Sequence, residues 1–431
     1  MKNFNPIRSA PVKKSFKKGD ILVLFGELFN RGYANGLVEE AERQGMTIVR
    51  ATVGRRDENL QLRKLTPEEA EQIPKPFINV PLEAGFDLEK DQFGKTPNDY
   101  LKDVKLGDWK TNTFPADSLN FCRDQAKKRF KKQTQDFAIE LEKLLQPGQH
   151  VHFAHLMAGG VPRCKIVLPL MNRVFKGKAD RYLASSEFWE SSIGHFLQLN
   201  FHEVTAETYN ILIEETTALR EKIKSQNGTV SYVAYGYHGT EIVIKDKYQW
   251  QSYAPYIQGW AKCDLENFSA AWTNKGVTSC VYNCPEILTN SSSIFKGIEI
   301  PLYNLVRALK KEAANHPLTI KLEKDCSEVL KNPDDLQKIF DTVDTYFDSS
   351  AVKQTSVYEG WPHHSNKEQL ELTLDISDEI MNLHKDEKVL MTGAISEIVF
   401  RSCGYIMLHD GFAPKNSTSW IGHDAVVACL Q

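Results

Sequence analysis

Three glycines lead into a helical pattern in GELFNRGYANG (Gly26 to Gly36), directly after the apolar run ILVLF at 21–25. A glycine turn between a strand and a helix leaves backbone N–H groups free at the helix N-terminus, where they and the helix dipole attract phosphate. Gly26, Gly32 and Gly36 let backbone approach a pyrophosphate with no Cβ in the way. The spacing matches neither G-x-G-x-x-G nor the lysine-bearing nucleotide loop. A second strand-like run, TIVRATV at 47–53, ends in Gly54-Arg55-Arg56. The adenosine ribose of a dinucleotide lies at that point of an open α/β sheet, and two guanidinium groups there suit a 2′-phosphate. An acid to hold a bare 2′-hydroxyl is absent from the tip of that run. A plain turn and a solvated basic loop are the alternatives to this reading.

The elements that must carry these residues follow from the apolar pattern. Strand-like runs at 21–25, 47–53, 150–156, 230–237 and 277–282 alternate with helical spacing, which reads as βα units around a parallel sheet. The segment 66–116, rich in Pro, Lys and Asp, reads as an elaborated crossover, and 118–145 as a helix stopped by Pro147-Gly148. Beyond about residue 310 the βα rhythm weakens into helical segments, and KVLMTGAISEIVF (388–400) fits a strand or a buried helix equally. The 431 residues, 41% hydrophobic and 25% charged, can bury a large core. A net charge of -3 offers no strong field for nucleic acid or anionic membranes. No run approaches the roughly 20 apolar residues of a membrane span, the basic start lacks a signal peptide's apolar core, and eight scattered cysteines fit reduced thiols. The expectation is a cytoplasmic α/β protein that acts on a small molecule.

Four stretches, in order along residues 20–310, resemble one family. The Gly26 to Gly36 segment resembles the modified glycine motif of enoyl-acyl-carrier-protein reductases, which are divergent short-chain dehydrogenases/reductases. VAYGYHGTEI (233–242), GWAKCDLE (259–266) and TNSSSIFKGIEIPLYNLVRALKK (289–311) resemble the fifth strand, the following helix and the Thr-x-x-Ser-Ser stretch of the extended single-chain enoyl reductases, the FabV and trans-2-enoyl-CoA reductase group. The resemblance implies a Rossmann-type doubly wound parallel sheet flanked by helices over residues 1–310, with an extended crossover and a C-terminal elaboration over 311–431. It implies reduction of the 2,3 double bond of an enoyl thioester carried by acyl carrier protein or coenzyme A. Reductases of this superfamily pair a Tyr, which donates to the substrate oxygen, with a Lys, which holds the nicotinamide ribose and lowers the phenol's pKa from about 10.

Lys262 in GWAK is the lysine that the resemblance implies, and Gln258 excludes a tyrosine four residues earlier. In the extended reductases eight residues separate the pair, which selects Tyr253. Nine positions along one continuous helix would carry Tyr253 to the opposite face, about 13 Å away. Pro255, at a favoured first helical position, lets the helix begin after Tyr253 instead. Tyr256 and Tyr248 stay as alternatives, because the segment between Ile242 and Tyr253 is longer than the family's. Tyr237 matches a second tyrosine near the substrate carbonyl, or it is an aromatic strand end. The implied cofactor is NADPH, with NADH less favoured, held by Gly26, Asn30, Arg31, Gly32, Gly36, Arg55, Arg56, Asp117, Ala158, Gly159, Lys262 and Thr289. Leu302, Val306 and Leu309 are candidates to line the acyl chain or to pack the core. His150 and His152 share a strand face without a third metal ligand at sensible spacing. WPHHSN (361–366) carries no mechanism. Other readings of the same residues are reduction of a different carbonyl or activated alkene, and a catalytically silent dinucleotide binder.

Overall fold

The computed structural model describes residues 4–28, 31–253, 258–387 and 389–430. Its centre is an eight-stranded sheet of β1 (Pro6–Ile7), β2 (Ile21–Phe25), β3 (Thr47–Val53), β4 (Phe77–Leu82), β5 (His150–His155), β6 (Thr229–Tyr235), β7 (Ser279–Asn283) and β8 (Thr418–Ile421). The spatial order is β1-β8-β7-β6-β5-β2-β3-β4, and every neighbouring pair is parallel. The order reverses between β2 and β5, which opens the crevice where doubly wound sheets bind ligands.

The central strands are buried nearly throughout because both sheet faces are covered. Along β2, Leu22 and Leu24 enter the core on one face, while Ile21, Val23 and Phe25 enter the core on the other. Helix α1 (Ala34–Arg43) lies on the first face. Helix α2 (Ser118–Glu142) lies on the second, with Phe130 and Phe137 meeting the Phe25 ring edge to face. The helix carrying Lys262 is α3 (Gln258–Thr273), with Leu265 buried beneath it. Helix α4 (Glu299–Glu312) is buried along most of its length, and Leu302, Val306 and Leu309 pack in the central core rather than line a cleft.

Phe77–Leu82 is a strand inside the segment read as crossover, and Thr418–Ile421, which the sequence did not announce, joins the sheet beside β7. Of the stretch read as a strand or a buried helix, residues 392–400 are helical, within α5 (Thr392–His409). That helix crosses α1 so closely that a Cβ on Gly36 would sit 1.8 Å from the Phe400 carbonyl oxygen. Gly404, on the opposing helix, meets the Gly36 carbonyl carbon at 2.1 Å by the same construction. Gly36 therefore serves helix packing, and this corrects its expected place beside a pyrophosphate.

Candidate active site

Strand β6 ends in Tyr235-Gly236-Tyr237, and a hairpin of Thr240–Ile244 paired with Lys247–Gln251 follows at once. This hairpin accounts for the extra length noted between Ile242 and Tyr253. Ile242, Val243 and Ile244 anchor it in the core, and the Thr240 hydroxyl donates to the Ile421 carbonyl at 2.7 Å. Gly239 has a φ of +124°, and a Cβ there would meet the Gln251 carbonyl at 2.4 Å, so only glycine closes the base of the hairpin. The closure returns the chain to the end of β6. Tyr253 then lies against Tyr237 with ring centroids 4.6 Å apart. Tyr253 is 3% exposed, precedes the described part of α3, and its hydroxyl has no hydrogen-bond partner among the described residues.

Tyr248 is on the hairpin's other strand, where its hydroxyl donates to Glu312 at the end of α4 and Lys311 lies over its ring. That removes it as a proton donor beside Lys262. Tyr256 lies outside the described residues. Lys262 is buried, and its ammonium donates to the Tyr235 carbonyl at 2.5 Å. Burial brings its pKa down to about 8, which leaves it mostly charged at pH 7. Burial also pushes the Tyr253 phenol well above its ordinary value, with Glu286 adding to the effect.

One acid in this cluster was missed. Glu286, in Cys284-Pro285-Glu286 just past β7, accepts a hydrogen bond from the Tyr237 hydroxyl at 3.2 Å and is 7% exposed. An acid three residues past a wholly buried strand was the available signal. Asn283 completes the scaffold. Its side-chain carbonyl accepts from the His238 backbone at 2.8 Å, and its amide donates to Glu266 of α3 at 2.9 Å. A Cβ on Gly236 would strike that Asn283 side chain at 2.1 Å, so these residues lock the ends of β6 and β7 to the Lys262 helix.

The expected cofactor residues divide into three groups. Gly26, at φ +87°, ends β2 against Met157, whose Cγ a Cβ would meet at 2.2 Å. Ala158 is exposed, and Gly159 has a φ of +104° with open space where a Cβ would be. The Thr205 hydroxyl clamps Gly159, accepting from its N–H at 3.2 Å and donating to its carbonyl at 3.0 Å. Gly32 comes within 3.6 Å of the Thr289 methyl by the same Cβ construction. Gly26, Gly32, Ala158, Gly159 and Thr289 thus stand at the carboxyl ends of β2, β5 and β7, where small residues and backbone N–H groups fit a dinucleotide. Arg31 is paired with Glu27 at 2.7 Å, Asp117 is exposed with a side chain that caps no helix N–H, and Asn30 lies outside the described residues. Arg56 is held by Glu83 at 2.5 Å, with Glu89 at 3.7 Å, and a Cβ on Gly54 would meet the Glu83 Cβ at 2.9 Å. An acid does stand at the tip of β3, contributed by the end of β4.

The family model for the enoyl-acyl carrier protein reductase FabMG matches residues 3–430. This chain belongs to the FabMG family. No curated protein matches it. A solved apo structure of FabMG, described as a novel type of enoyl-acyl carrier protein reductase, is 42% identical with a TM-score of 0.95, covering 100% of this chain and 98% of that one. An NADH-bound FabMG is 37% identical with a TM-score of 0.79, covering 100% of this chain and 99% of that one. The match is to FabMG rather than to the extended single-chain reductases that the later motifs resemble. The expected preference for NADPH is corrected as well. A FabMG protein is captured with NADH, and in this chain the Glu83 carboxylate stands beside Gly54 and engages Arg56, so the guanidinium is not free for a 2′-phosphate.

A small cavity of about 30 Å³ is lined by Phe175, Phe295, Tyr346 and Leu370 together with the polar Lys296 and Gln369. Phe295 and Tyr237 both pack against one apolar cluster.

Proposed function

We propose that this chain, as a FabMG-family enoyl-acyl carrier protein reductase, reduces the 2,3 double bond of an enoyl thioester with NADH, using Tyr253 and Lys262. The observation that carries the reading is the buried Tyr253 hydroxyl beside Tyr237 at the end of β6, which has no hydrogen-bond partner among the described residues, with buried Lys262 nine positions further along the chain. When bound, the nicotinamide supplies a hydride to the β-carbon. The Tyr253 hydroxyl donates to the thioester oxygen as charge builds there, in a site where burial strengthens each such contact. Lys262 keeps its ammonium at neutral pH and holds the ribose hydroxyls. Gly26, Ala158, Gly159 and Thr289 offer backbone and small side chains to the dinucleotide.

Steady-state oxidation of NADH and NADPH with crotonyl- and dodecenoyl-thioesters on acyl carrier protein and coenzyme A tests the reading. The expected result is turnover of enoyl thioesters with NADH favoured. Turnover of 3-oxoacyl thioesters in place of enoyl ones would replace it with a ketone reductase.

A further inference from the structure

Glu286 is a buried acid in contact with Tyr237 of the tyrosine pair. Its oxygen meets the Tyr237 hydroxyl at 3.2 Å, and the Tyr237 ring lies 4.6 Å from that of Tyr253. The groups that act on it electrostatically come from four directions: Tyr33 of the glycine turn, Tyr253, Tyr346 of the cavity wall, and Glu299 at the start of α4. The only charged partner in this set is another acid. A carboxyl buried against the Tyr237 hydroxyl, with another acid and no cation among these groups, favours its neutral form.

Resting on the functional reading above, we propose that Glu286 is a positioning residue that acts through Tyr237 as the site's internal proton store. With hydride delivered to the β-carbon and Tyr253 holding the thioester oxygen, the enolate takes its proton at the α-carbon from the Tyr237 hydroxyl, which turns from Glu286 toward the substrate. The Glu286 O–H bond breaks in the same step, and its proton completes the phenol again. Hydride at the β-carbon and proton at the α-carbon saturate the double bond. Glu286, left as a carboxylate, recovers a proton from solvent between turnovers. Burial and Glu299 hold its pKa up at about 8 against the hydrogen bond from Tyr237, so the store is filled at neutral pH.

Two measurements test this. In wild type labelled at the glutamate side-chain carboxyl with carbon-13, NMR should find one buried glutamate titrating near pH 8 that is lost in Glu286→Gln, while Glu299→Gln leaves it in place. A Glu286 signal already ionised at pH 6 would overturn the proposal, and this readout needs no turnover. In kinetics, Glu286→Gln should lower kcat by roughly 10²-fold with the KM for NADH little changed. Tyr237→Phe and the double variant should lose about the same amount, as residues acting in one relay do. The alkaline limb of the kcat profile, set by Glu286 and Lys262 in wild type, should be set by Lys262 alone in Glu286→Gln. A folded, NADH-binding Glu286→Gln with wild-type kcat and profile, or losses that add in the double variant, would overturn the relay. Wild type that reduces no enoyl thioester overturns the functional reading and the relay with it, while the NMR titration still reports the state of the acid.

Discussion

At the scale of single residues, the site depends on what burial does to three side chains. Tyr253 is a neutral phenol with no hydrogen-bond partner among the described residues, Lys262 an ammonium brought down to about 8, and Glu286 an acid brought up to about 8. A lysine with a lowered pKa loses its charge as pH rises through the folded value. NADH affinity that depends on the Lys262 ammonium should therefore hold at pH 6–7 and weaken through about pH 8, well below the ordinary lysine value. A fluorescence titration of NADH across that range checks it. At the cofactor end, Glu83→Gln should release Arg56 and raise kcat/KM for NADPH by about tenfold, the worth of one charge-assisted contact. Unchanged NADPH kinetics would remove Glu83 as the discriminator. Most residues of this site were legible because each stands in a short motif: Tyr237 in YGYHG, Lys262 in GWAK, Gly26 and Gly32 in the turn. Glu83 and Glu286 were not, because each reaches the site from a neighbouring strand end, and such juxtaposition is set by the sheet order rather than by local spacing. Arg56 misled for the same reason, since its pairing with Glu83 and Glu89 is set by the sheet order and not by local spacing.

At the scale of elements, the apolar runs of the buried parallel strands were read nearly to the residue at 21–25 and 47–53, where both faces demand apolar side chains. Phe77–Leu82 alternates between half-buried and buried positions and contains a proline, so its pattern is that of an edge strand and was passed over. The hairpin at 240–251 was visible only as surplus length. Its consequence is to separate two tyrosines that spacing alone left as alternatives. Tyr248→Phe should keep kcat/KM within about twofold of wild type, because its hydroxyl serves Glu312 rather than the site. The glycine crossing between α1 and α5 gives a further expectation. Gly36→Ala should destabilise the protein by at least about 2 kcal/mol, measured as a lowered urea midpoint, since the added carbon meets backbone on the facing helix and not a movable side chain. A neutral Gly36→Ala would mean that the helices part at no cost and the crossing does not fix the turn.

For the whole molecule, the sheet buries histidines that carry no chemistry but set its tolerance of acid. His150 and His152 bond across to Thr229 and Ser231 of β6 at 2.8 Å each, and His155 bonds to Thr208 at 2.8 Å. Burial lowers His150 and His423 to about 3, and lowers His152 and His155 well below the ordinary value. Because their folded pKa values lie below the unfolded 6.5, their contribution is present above about pH 6.5 and is lost as pH falls, roughly 1 kcal/mol per histidine between pH 7 and 5.5. His202, raised to about 9 beside Asp264 and Glu207, has the opposite sign, contributing fully below pH 6.5 and losing its contribution as pH rises through 9. Urea midpoints should thus fall between pH 7 and 5.5. No helix among the described residues is long and apolar enough to cross a membrane. The measurement that bears most directly on the proposed function is NADH oxidation with dodecenoyl-thioester by wild type and Tyr253→Phe, alongside NADH binding to both. The account predicts bound NADH in each and a loss of turnover of 10²-fold or more in the variant, the usual worth of a positioned acid. Full turnover in a Tyr253→Phe protein that binds NADH normally would contradict it.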